Sequence, residues 1–149
     1  MIGRDELARR QAALVAALVA GAPTPAGFDE TRVRASASAL LRKRAGEVAA
    51  VWPVLSSSYS PQWNSVFTAW AAGRPPLGAL RDGWDFARSA VGGTGLVGAA
   101  AEEVAEREVR WRYDGRTAPR RRRLPAARRV PGGLLVQAFG RLFRLSRSP

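Results

Sequence analysis

The chain has 149 residues, too few for two full hydrophobic cores, and its 46% hydrophobic and 24% charged content is that of a globular domain. It contains neither cysteine nor histidine, which excludes disulfides, Cys/His metal centres, thiol nucleophiles, a Ser-His-Asp triad and Cys- or His-ligated haem and iron–sulfur groups. The net charge of +12 is segregated: residues 1–110 carry 13 bases and 11 acids, whereas residues 111–149 carry 11 arginines against the lone Asp114.

Arg4 to Gly21 reads as an amphipathic helix, with Leu7, Leu14, Val15 and Leu18 on one stripe and Gly21, Pro23 and Pro25 ending it. The uncharged stretch from Gln11 to Phe28, with Ala20-Gly21-Ala22 behind an apolar run, has features of a secretory leader. Asp5 and Glu6 sit where a basic leader would, however, and no stretch reaches the ~20 apolar residues of a membrane span, so a cytoplasmic location is expected. Asp29 is placed to cap a second helix running to about Trp52. Its buried face would hold Val33, Ala37, Leu40, Leu41, Val48 and Trp52, with Arg44 mostly off that face and Gly46 a point of weakness.

Ser56–Ser58 reads as a loop, with Ser60 as cap and Pro61 at the first position of a third helix. Trp63, Val66, Phe67 and Trp70 then recur at helical spacing until Gly73-Arg74-Pro75-Pro76 stops the run. A fourth helix spans about Leu77–Val91, burying Leu80, Trp84 and Ala87 or Val91, and a fifth, acidic one carries Glu102, Glu103, Glu106 and Glu108. Trp111 to Gly115 has the pattern of a short extended piece closed by an Asp-Gly turn. The block Arg120–Arg123 with Arg128 and Arg129 repels itself and is expected to be disordered without a partner. Leu135, Ala138, Phe139, Leu142 and Leu145 fit a final helix decorated by Arg141, Arg144 and Arg147. The fold expected is therefore all-α: a compact bundle of about five helices over residues 1–110, then a basic, largely extended or disordered tail over residues 111–149.

Chemistry-bearing motifs are sparse. Gly93-Thr94-Gly95-Leu96-Val97-Gly98 is a literal GxGxxG, but Arg88 interrupts the strand that should precede it, so a glycine-rich link is the simpler reading. Asp82 with Asp85, and Glu102 with Glu106, stand one helical turn apart beside Arg81, Arg88, Arg107 and Arg110, a pattern expected of solvated helix charge pairs. Ser56–Ser58 has no base to activate it. Trp52, Trp63, Phe67, Trp70 and Trp84 are expected to form the structural core. No cofactor and no metal are expected on this chain.

Arg120, Arg121, Arg122, Arg123, Arg128 and Arg129 are the candidate binding residues. Three partners are open: an acidic protein surface, nucleic-acid phosphates, and a membrane surface entered by Leu135, Phe139 and Leu142.

Arg44-Ala45-Gly46-Glu47-Val48-Ala49-Ala50-Val51-Trp52-Pro53-Val54-Leu55 resembles the arginine-led helix ending in an aromatic-Pro-Val step of HvfC/BufC-type domains, often labelled DNA-binding. Phe67–Ala72 followed by Arg74-Pro75-Pro76, and Gly83-Trp84-Asp85-Phe86-Ala87, resemble the next two helices of that family. Leu40–Arg44, Gly73–Pro76 and Asp82–Ala87 also look like segments of small actinobacterial proteins related to C-terminal domains of multinuclear-iron enzymes. The resemblance implies a helical accessory partner that joins a TIM-barrel iron oxidase and helps present a ribosomally made peptide. It implies equally that any iron resides on the other protein.

Overall fold

The computed structural model describes residues 3–91, 95–96 and 98–146. Among these residues the elements begin with six helices: α1 (Arg4–Ala20), α2 (Glu30–Val51), α3 (Pro53–Ser57), α4 (Trp63–Ala71), α5 (Ala79–Val91) and α6 (Gly98–Arg110). Five strands follow: β1 (Trp111–Arg112), β2 (Arg120–Arg121), β3 (Ala126–Val130), β4 (Gly133–Ala138) and β5 (Arg141–Ser146). β1 and β2 form an antiparallel ribbon, and β3-β4-β5 form an antiparallel meander. The fold is mixed α/β, so the all-α expectation fails.

The failure lies in the last third of the chain. The apolar spacing of residues 134–145 fits a helix only if the chain runs straight, and it does not. Pro131 and Gly132 (φ +77°) turn β3 into β4, and Phe139 with Gly140 (φ +51° and +76°) turns β4 into β5. Two left-handed residues in a two-residue loop match the right-handed twist of a hairpin. Side chains then alternate: Leu135 and Gln137 are buried, while Leu134, Val136 and Ala138 point the other way. The arginine block is likewise ordered, Arg120 and Arg121 in β2, Arg128 and Arg129 in β3. Glu108 of α6 supplies counter-charge to one member of the block, Arg128, and backbone pairing in β2 and β3 holds Arg120, Arg121 and Arg129.

The helices follow their local signals more closely. The Asp29 carboxylate accepts from the backbone N–H groups of Thr31 and Arg32 at 2.9 and 3.1 Å, capping α2. Gly21 (φ +70°) ends α1, and a β-carbon there would lie 3.2 Å from Gly73 Cα, so this glycine serves both a cap and a close approach. α1 lies on α2 through its C-terminal half: Ala17 is buried, whereas Leu7 and Val15 of the expected stripe are exposed. α2 runs through Gly46 unbroken. Pro53 opens the short α3, which takes up Ser56 and Ser57 of the expected loop. α4 starts at Trp63 behind Gln62, not at Pro61 behind Ser60.

Two aromatic groups fill the helical core. Trp63 sits between Tyr59, Phe67 and Phe86, and Trp70 closes that group edge-on to Phe86 at 5.6 Å. Trp52 meets Trp84 at 5.6 Å, and Trp84 meets Tyr113 at 5.2 Å. Trp52, Trp63, Phe67 and Trp84 are buried and Trp70 is half-buried. Burying each ring contributes on the order of 2–3 kcal/mol.

Candidate interaction surface

The short motifs of the helical half converge on one buried node. Arg44, expected off the packed face of α2, is buried and grips Asp82 of α5 with two hydrogen bonds, Nε to Oδ2 at 2.7 Å and Nη2 to Oδ1 at 2.9 Å. Its Nη1 donates to the Arg74 carbonyl at 2.7 Å, and Asp82 Oδ1 accepts from the Leu77 N–H at 3.1 Å. One ion pair thus holds α2, α5 and the Gly73–Pro76 turn together. Next along α5, a β-carbon on Gly83 would sit 2.2 Å from the Trp52 ring, so only glycine lets the two helices meet there. Trp52 Nε1 donates to the Leu80 carbonyl at 3.2 Å.

Asp82, Asp85 and Glu102 bond residues outside their own helices, whereas Glu103 also lies 3.9 Å from Arg107 within α6. Asp85 accepts from the Tyr113 hydroxyl at 2.9 Å, and Arg88 Nη2 donates to the Tyr113 carbonyl at 2.8 Å. The Arg81 and Arg88 guanidinium groups flank the Tyr113 ring at 5.7 and 4.9 Å. Burial pushes the Tyr113 hydroxyl pKa up. Glu103 accepts from the Leu55 N–H at 2.7 Å, satisfying a free donor in the first turns of α3. Arg107 donates to the Val51 carbonyl and lies 4.2 Å over the Trp52 ring, and burial lowers its pKa. These contacts tie α5 to Tyr113 and α6 to α3, with Arg88 exposed and Arg81 and Asp85 half-buried.

The arm from Trp111 onward is different. Its meander lies against α6 through Leu135, Val130 and Leu142, which pack with Ala105 as a second small core. Leu135 and Leu142 therefore face α6, whereas Phe139 stands exposed at the hairpin tip. Arg128 bonds Glu108 at 2.9 Å, and Arg144 makes a two-pronged pair with Glu102 at 2.7 and 3.0 Å. Arg122 Nε donates to the carbonyls of Glu108 and Trp111 at 2.9 and 3.2 Å. Arg128 and Arg144 are thus paired within the chain, on α6.

The other predicted binding residues face solvent. Arg120, Arg121, Arg123 and Arg129 are exposed and, among the described residues, form no ion pair; Arg121 lies 5.1 Å over the Trp111 ring. Asp114, in the turn between β1 and β2, accepts from the N–H groups of Thr117 and Arg116 at 2.8 Å each. Those bonds, Thr117 first, hold its pKa down at about 2.

One feature escaped the sequence reading: the outer face of the meander. Register places Ala127, Leu134, Val136, Ala138, Phe143 and Leu145 there, bordered by Arg129 and Arg141. An open hollow of about 480 Å³ lies beside it, lined in part by Arg129, Leu134 and Leu145. Leu134-Leu135-Val136-Gln137 does not alternate in sequence, so the Pro131-Gly132 and Phe139-Gly140 pairs bounding the segment were the available signal.

Among the described residues no group of His, Cys, Asp or Glu is placed to hold a metal ion, and no helix is long and apolar enough to cross a membrane. The GxGxxG segment lies partly outside the described residues, as does Arg147 and the side chain of Val91.

The described residues thus form a helical body with a small β-arm seated on its last helix. The family model for the SCO6045-like C-terminal domain matches residues 8–92, and the chain belongs to that family. A UPF0276 protein of Streptomyces avermitilis is 41% identical over 129 residues, covering 84% of this chain. The chain spans about a quarter of that relative's length, 25%. A continuous match of that extent has to run beyond the family segment, through α6 and the β1–β2 ribbon. No solved structure matches the chain.

Proposed function

We propose that the chain is a non-catalytic accessory module that binds a partner protein, and that the partner belongs to the class of the UPF0276 relative. The observation that carries this reading is that relative itself, in which a segment similar to this chain is joined to a far longer stretch of polypeptide. The resemblance of Arg44–Leu55 and Asp82–Ala87 to HvfC/BufC-type accessory domains supports the same reading and makes the partner an iron-dependent, peptide-modifying oxidase. The donor set of this chain does not fit an iron centre, because it has neither histidine nor cysteine. Any such metal belongs to the partner.

The experiment mixes the purified chain with a UPF0276 protein that lacks a segment of this kind, and follows the mixture by size-exclusion chromatography with light scattering. A stoichiometric complex at micromolar concentrations is the expected result; two separate peaks at all concentrations overturn the proposal.

One observation favours a second reading, nonspecific nucleic-acid binding: Arg120, Arg121, Arg123 and Arg129 stand exposed without carboxylate partners among the described residues. Four phosphate contacts would give log affinity a slope of about −4 against log salt. A flat salt dependence rejects that reading.

A further inference from the structure

The outer face of the β3-β4-β5 meander is the surface on which that partner sits, and we infer that the partner offers it an apolar patch rimmed by carboxylates. This rests on the partner-binding reading and adds the place and the chemistry of the contact.

Four observations carry it. First, the meander is a single layer: α6 covers one face, where Leu135 is 3% exposed, while on the other Phe143 and Leu145 are 46% and 56% exposed. Two large apolar side chains on one face of the sheet, next to Leu134 and Val136, form a contiguous patch rather than scattered surface residues. Second, the tip of the β4–β5 hairpin is Phe139, 97% exposed at φ +51°. A bulky residue held in the left-handed region is strained, and a residue with no burial to gain there is not placed by the fold's own packing.

Third, the patch is bordered by arginine. Arg129 pairs across the sheet with Leu134, and Arg141 with Ala138, and neither has an ion-pair partner among the described residues. Apolar centres with aromatic and arginine anchors are the composition of protein–protein contacts. Fourth, the sign of the charge selects the occupant. A second copy of this chain would bring arginine against arginine, from an arm with 11 arginines and one acid. A carboxylate-rimmed surface complements it instead. The free edges of the sheet carry Arg128 and Arg129 on β3 and Arg141 and Arg144 on β5, which discourages a further strand from adding there and leaves the face as the open route.

The test uses the full chain and the same UPF0276 protein, measured by calorimetry. Phe143→Ser with Leu145→Ser should weaken the complex about tenfold or more, as expected of central apolar anchors. Arg129→Glu with Arg141→Glu should weaken it as well, chiefly by slowing association, and should flatten its salt dependence. Circular dichroism checks that both variants remain folded; the charge-reversed pair changes exposed side chains only. Wild-type affinity in both folded variants overturns this surface while leaving the partner reading intact. Absence of any complex with the wild-type chain overturns the partner reading and this inference with it. Binding of the wild-type chain to vesicles of phosphatidylcholine and phosphatidylglycerol, lost in the serine variant and unaccompanied by a protein complex, overturns it in favour of a membrane surface.

Discussion

Two arginines of the helical body and four of the β-arm sit in opposite environments. In the body, Arg44 is buried, doubly bonded to Asp82, and aimed at the carbonyls of a turn; Arg107 lies against Trp52. In the arm, Arg129 and Arg141 are exposed at the border of an apolar face, and Arg120 and Arg123 stand in solvent. The body buries the Arg44–Asp82 pair and packs beside it a two-part aromatic core, so its recognisable motifs are packing signatures. The arm has one thin layer, one covered face and one open face. A layer with only one side covered has its second side available for something else, whereas a residue fixed between helices does not.

The largest expected effect falls on the body. Asp82→Ala leaves the Arg44 guanidinium buried without its counter-ion and should cost about 3–5 kcal/mol, seen as a collapse of the urea midpoint for the whole chain. An unchanged midpoint would show that the node is not what joins α2 to α5. In the arm, Leu135→Ala removes the centre of the small core against α6 and should cost about 2–5 kcal/mol locally. Hydrogen exchange checks it: amides of β3–β5 should lose protection while those of α2 and α5 keep theirs. Equal loss in both regions would mean that body and arm unfold as one unit.

Smaller still is the contribution of the pairs pinning the arm. Glu102→Gln frees Arg144 and should cost under about 1 kcal/mol, because both groups are partly in water, and the loss should fade as salt is raised. The smallest effect is a pH dependence at Asp114. Its folded pKa, about 2, lies below the ordinary carboxylate value of 3.8, so the turn's stabilisation is complete above that value. It is lost as pH falls from about 4 towards 2, and Asp114→Asn should remove this dependence. Chemical shifts of the Arg116 and Thr117 amides through an acid titration measure it directly.

Much of the body was legible because its signals are local. Asp29 before a periodic run, Gly21 with Pro23 behind one, and Trp63–Phe67–Trp70 at helical spacing each depend on a few neighbouring residues. The sequence misleads where a residue's environment comes from elsewhere in the chain. Arg44 falls off the apolar stripe of its own helix, and nothing within α2 reveals that Asp82 waits 38 positions on. The run from Leu134 to Leu145 carries both a helical and a strand pattern, since short apolar segments satisfy either period. Its turns, with Phe139 itself in the left-handed region, decide between them.

Composition alone determined that this chain has no thiol or imidazole chemistry, and that its positive charge is gathered after residue 110. Only the tertiary structure decided what that charge does. An arginine run in isolation repels itself and stays open, but Glu108 and Glu102 on α6 stand close enough for Arg128 and Arg144 to pair with them. Long-range pairing and strand alternation together fix which arginines are neutralised within the chain and which border its open apolar face.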